Sequence, residues 1–126
     1  MINRFLVLAA LNGFLVVALG AFGAHALKAM LSTEMLDVFQ TAVQYHMFHL
    51  TGLLAVHVLV RETGLTSALL LAGNLFLAGI VLFCGSLYLL AVTGVSALGM
   101  ITPVGGLCFL AGWVQVARIS YKQSKR

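Results

Sequence analysis

Charge is what this sequence has least of. Only three acidic and seven basic side chains occur among 126 residues, 8% of the chain, against roughly 25% in soluble domains. A soluble domain of this length leaves a large share of its residues at the surface, and so few ionic groups do not cover it. Water is thereby excluded as the solvent around most of the chain. Cysteine is scarce as well: Cys84 and Cys108 both fall inside apolar runs, without the short spacing that metal and redox motifs need. They read as small buried hydrophobes. No nucleophile is paired with a base, and neither a close pair of membrane carboxylates nor a phosphate-binding loop occurs. The expectation is therefore a protein that is not an enzyme and carries no cofactor. Basic patches interleaved with stacking aromatics are missing too, which argues against nucleic acid as a partner.

What is present is apolar: 62% of the residues are hydrophobic. A helix crossing roughly 30 Å of hydrocarbon needs about 20 such residues. Four runs qualify, at about 5–22, 42–60, 66–92 and 102–120. The sequence therefore predicts an all-α, integral membrane four-helix bundle forming one domain over 1–126, with membrane lipid as its surroundings. The first run, with Arg4 before it and small residues after it, also has the outline of a secretory signal. It is read here as a permanent helix. Ser32 or Thr33 suits the start of the second helix, with Glu34 in its first turn. Thr93 and Gly94 close the third helix. Thr102 and Pro103 open the fourth, as cap and first helical residue.

Basic residues near helix ends prefer the cytoplasmic side. An N-in/C-in arrangement places Arg4, Arg61, Arg118, Lys122, Lys125 and Arg126 inside and only Lys28 outside. The net charge of +4 thus reads as anchoring at a membrane surface. The 24–41 connection becomes extracytoplasmic, and the expected location is a bacterial inner membrane. A weak internal repeat appears at an offset of 62 residues, with Leu8/Leu70, Ala10/Ala72, Asn12/Asn74, Phe14/Phe76, Leu15/Leu77, Gly23/Gly85 and Leu27/Leu89 identical. A duplicated hairpin and an accident of apolar composition both account for it.

Polar groups inside a bilayer are costly, so each is a candidate for function. The second run holds His46, His49 and His57. At 100° per residue they share one face, but His57 lies about 16 Å along the axis from His46. His46 and His49 are close enough for a common metal or haem, yet no span interior supplies a carboxylate to complete a site. Hydrogen-bonding glue between helices is the plainer reading. Asn12 and Asn74 sit at similar depths and suit a polar clamp between helices one and three. Ser86 adds one more polar position. His25 lies just outside the first span, near Glu34 and Asp37, where an ion or proton site or a simple loop contact both fit.

The strings GAFGAHALK at 20–28, TAVQYHMFH at 41–49, FCGSLYLLA at 83–91 and ITPVGG with the later GW at 101–113 together resemble one family. It is the domain of unknown function 423 family, small YgdD-like bacterial proteins with a eukaryotic relative, transmembrane protein 256. The resemblance implies a four-helix inner-membrane protein and brings no activity with it. It also implies histidine at the positions of His25 and His49, whereas His46 and His57 lie outside the family pattern and Cys84 replaces a usual serine. That weighs against a shared His46/His49 metal site. Small residues at helix-contact spacings, such as Ala9 and Gly13, or Gly105 and Gly112, point to close helix packing. The leading expectation is a non-enzymatic accessory or scaffold protein acting through helix contacts, as a homo-oligomer or with other membrane proteins. An oligomeric proton or small-solute pathway, and metal or haem binding through His49 with His46 or His25, stand as alternatives.

Overall fold

The computed structural model describes residues 4–125; Arg126, counted above in the basic tail, lies outside them. Among the described residues there are four long helices. They are α1 (Arg4–Leu27), α2 (Thr33–Thr63), α3 (Ser67–Thr93) and α4 (Thr102–Ser124), the last entered through a 3-10 turn at Ser96–Met100. Each of the four helical stretches is long and apolar enough to cross a bilayer. At about 1.5 Å per residue, the 31 residues of α2 reach about 46 Å, well beyond the hydrocarbon thickness. Of the 24–41 connection, 24–27 continues α1 and 33–41 belongs to α2, so the link narrows to residues 28–32.

Local chemistry sets the helix ends. The Ser32 hydroxyl accepts from the Met35 N–H at 3.1 Å, and the Thr66 hydroxyl accepts from the Leu69 N–H at 3.2 Å. Each satisfies a backbone donor that the first turn leaves open. Gly94 terminates α3 at φ 71°, returning its N–H to the Leu90 carbonyl. A side chain there would be strained. Thr102 does not cap α4: the preceding 3-10 turn makes Thr102 the first helical residue, and its hydroxyl instead meets that of Ser86 at 2.6 Å.

Short links make consecutive helices antiparallel neighbours. α2 occupies the middle, against α1 on one side and α3 on the other, and α3 lies between α2 and α4. α1 rests along α2 and reaches α3 at its first turn, where the Phe5 ring sits over Gly73. Aromatic rings seated on glycines recur through the core. Phe76 is wedged between Gly52 of α2 and Gly112 of α4, and Phe109 lies on Gly79. The missing Cβ is what lets each ring come so close to the facing helix.

The two halves share a register. α1 and α3 each contain one π-helical segment, Ala18–Gly23 and Ile80–Cys84, whose first residues are 62 apart. That is the offset of the sequence identities named above. A duplicated hairpin accounts for both observations, whereas apolar composition does not place a rare helical distortion. The halves differ in surroundings: Phe76 is fully buried, and its counterpart Phe14 is 79% exposed.

Candidate functional site

Two polar arrangements lie at the centre of the bundle, one closed and one open. The closed one joins three helices. Asn12 of α1 donates its side-chain N–H to the Leu8 carbonyl one turn back, at 2.8 Å, which orients the amide. Its Oδ1 then faces His46 Nε2 at 3.0 Å, so Nε2 carries the proton and donates. The other nitrogen, Nδ1, is left to accept from the Tyr88 hydroxyl of α3, also at 3.0 Å. Every ring nitrogen of His46 is thereby used, and the side chain is buried. The Phe39 ring packs edge-on against Tyr88 at 5.3 Å between centroids and holds the phenol in place. Such a fully satisfied network rigidifies a core and leaves no polar group over.

Asn74 does not join Asn12. It accepts from the Arg4 guanidinium at 2.7 Å at the end of the bundle where the chain begins. The equivalent asparagines thus have different partners, because His46 stands beside the first and Arg4 beside the second. Ser86 also turns toward a neighbouring helix: its hydroxyl donates to the Phe83 carbonyl and bonds to Thr102 of α4.

The open arrangement surrounds His49. Its ring is 3% exposed and lies flat on Phe109, with centroids 3.5 Å apart and planes 7° apart. Nδ1–H donates to the Tyr45 carbonyl one turn earlier at 2.7 Å. That bond forces the neutral ring to carry its lone pair on Nε2. Nε2 makes no hydrogen bond among the described residues. His49 lines a groove of about 610 Å³ between α2 and α4, with Tyr45, Phe48 and Phe83 on one side and Gly106, Phe109 and Trp113 on the other. Phe48 and Leu110, both largely exposed, form its rim.

His46 and His49 therefore do different things, although they are one turn apart. His46 faces α1 and α3, and His49 faces α4. The pair has only one uncommitted ring nitrogen between them, that of His49. His57 is half-buried further along α2. No group of three histidine, cysteine or acidic side chains placed to hold a metal occurs among the described residues. His25 is exposed and borders a shallow hollow of about 290 Å³ with Lys28, Leu36 and Gln40, while Asp37 is exposed on the first turns of α2 outside that lining.

Sequence reasoning passed over Tyr88, Phe109, Trp113 and Gln115. Tyr88 and Gln115 carried a usable signal as lone hydrogen-bonding groups within apolar runs. Gln115 donates to the Ala68 carbonyl at 3.3 Å and accepts from Arg118 at 3.1 Å. Phe109 and Trp113 carried no such signal, since aromatic residues in a span are ordinary until a groove collects them.

Comparison with known proteins adds the following. A sequence model described as "Protein of unknown function (DUF423)" matches residues 19–106. The chain is similar to the UPF0382 membrane protein YwdK of Bacillus subtilis (strain 168), with 46% identity over 118 residues, 94% of this chain and 96% of the relative. It is similar to the UPF0382 membrane protein SSP2132 of Staphylococcus saprophyticus, with 42% identity over 94% of this chain and 97% of the relative. A UPF0382 membrane protein of Haemophilus influenzae is 42% identical over 95% of each chain. No solved structure matches.

Proposed function

The chain belongs to the DUF423 family of membrane proteins, and from that premise we propose that it is a non-enzymatic accessory protein of the bacterial inner membrane, working through helix contacts. Its termini lie in the cytoplasm on the charge asymmetry already described. The Asn12–His46–Tyr88 network supports this reading over a proton or solute path. Its donors and acceptors are consumed in tying α1, α2 and α3 together, so that polar cluster serves the shape of the bundle.

The observation that carries the proposal is the contrast between Phe14 and Phe76. At the same place in the repeat, Phe76 is enclosed by two flanking helices, while Phe14 is 79% exposed on a helix that rests mainly on α2 and meets α3 at its first turn. The face around Phe14, with Leu11 and Leu15 beside it, is where a helix of a second copy or another membrane protein packs.

A photo-crosslinking amino acid in place of Phe14 tests this in native membranes. A discrete protein adduct is expected there, and none from the same probe in place of Leu71 on the exposed side of α3. Adducts to lipid alone at Phe14 would overturn the proposal.

A further inference from the structure

The His49 groove is independent of the face around Phe14 and calls for a ligand rather than a helix. We infer that it binds the hydroquinone form of an isoprenoid quinone, with the aromatic diol in the groove and the tail leaving between α2 and α4.

Depth narrows the ligand first. His49 is 16 residues from Thr33 and 14 from Thr63, the ends of α2, about 24 Å and about 21 Å away; with the roughly 16 Å of α2 that exceeds the hydrocarbon taken wholly at the Thr33 end, it still lies about 8 Å inside the apolar layer. Phospholipid headgroups stay at the interfaces, roughly 15 Å from the midplane. A donor that reaches Nε2 must therefore travel on a molecule that is otherwise apolar and dissolves in the bilayer interior.

Charge narrows it further. None of the residues lining the groove is charged. A haem would bring propionates, and a phospholipid a phosphate, with no cation to meet them in a low-dielectric site. The lining is instead a set of rings: Tyr45 and Phe83 lie 4.5 Å apart between centroids, and Phe48 and Trp113 lie 5.5 Å apart. Such walls suit a flat ring in offset or edge-on contact. The volume of about 610 Å³ is that of an ordinary small-ligand site.

Hydrogen bonding then selects the redox form. The His49 ring face is covered by Phe109, so a ligand meets the ring at its edge, where Nε2 lies. With Nδ1–H committed to Tyr45, Nε2 can only accept. A hydroquinone hydroxyl donates to it; a quinone carbonyl, itself an acceptor, does not. At His49 the site therefore favours the reduced head group over the oxidised one, without taking part in electron transfer.

The test uses the full-length protein in phosphatidylcholine nanodiscs under argon, with a benzohydroquinone bearing a two-isoprene tail and the matching benzoquinone as probes. Retention is measured against empty discs. Trp113, the single tryptophan of the chain and part of the groove, reports occupancy through its emission. The hydroquinone is expected to be retained roughly three- to tenfold more tightly than the quinone, the worth of one buried hydrogen bond, with a saturable change in Trp113 emission.

His49→Phe keeps the stack on Phe109 and removes the lone pair, so hydroquinone retention should fall to the quinone level. Gly106→Leu fills the groove. A Cβ at Gly106 meets the Phe83 ring only at an ordinary 3.8 Å, so this variant keeps the fold and should lose both probes, deciding the matter if His49→Phe does not fold. Equal retention of the two probes, or an unchanged preference in folded His49→Phe, would overturn the proposal. So would unchanged retention in Gly106→Leu, or no excess over empty discs, which would mean that acyl chains alone occupy the groove.

Discussion

A buried histidine in a membrane helix invites a functional reading, and here two of them, one turn apart, have opposite fates. His46 is enclosed by partners whose orientation is fixed one from the next: Leu8 carbonyl, Asn12 amide, imidazole, phenol. Removing the last member tests the chain of dependence. Tyr88→Phe leaves Nδ1 of His46 without a donor and should lower stability by about 1 kcal/mol, in the range measured for hydrogen bonds between membrane helices. The measurement is the midpoint of unfolding in mixed detergent and SDS micelles. Combining Tyr88→Phe with Asn12→Leu should cost measurably less than the sum of the two, because both act through one ring. Strict additivity would show the three residues to be independent. At this scale the sequence revealed which side chains were polar and how deep they lay. It did not reveal that Asn12 would find His46 and not Asn74, since Asn74 has Arg4 within reach and that contact depends on how α1 crosses α3.

For the helices, the apolar runs and capping residues made four elements legible, and Ser32 and Gly94 ended helices as their chemistry suggests. The entry to α4 was less legible. Thr102 and Pro103 have the pattern of a cap and first residue, but the hydroxyl of Ser86 competed for Thr102 and the chain wound an extra 3-10 turn ahead of it. The glycines divide by what faces them, which spacing alone does not tell. A Cβ at Gly52 or Gly112 would stand 2.9 Å or 2.8 Å from the Phe76 ring, whereas at Gly13 the nearest atom, on Leu50, is 3.8 Å away. Gly52→Ala and Gly112→Ala should therefore each destabilise the bundle by about 1–3 kcal/mol through overpacking. Gly13→Ala should fall within about 0.5 kcal/mol of the parent. In a Phe76→Leu background the penalty at Gly52 should shrink, since the ring that collides is gone. The same unfolding assay reads all of these; equal effects at Gly13 and Gly52 would mean the glycine seats do not hold the helices together.

As a whole molecule, the protein is two hairpins of matched register joined by the three residues 64–66. The identities at an offset of 62 could not by themselves establish a repeat among so many similar side chains; the paired π-helical segments add an observation that composition does not explain. Parallel hairpins also fix topology: each must enter and leave the bilayer on the same side, so one asymmetry of basic residues orients both. In intact cells, an Ala29→Cys variant should react with an impermeant maleimide, and Lys125→Cys should react only after the membrane is opened. The reverse pattern would invert the arrangement proposed here.

The length of α2 has a further consequence. Some 16 Å more helix than the hydrocarbon needs must emerge somewhere, and the emerging turns at the Ser32 end bear Glu34, Asp37 and Gln40, all exposed. This makes a short, stiff, acidic post standing clear of the lipid surface. An epitope grafted ahead of Ser32 would be held aloft on it, giving a molecule otherwise immersed in lipid a rigid handle for antibodies and imaging.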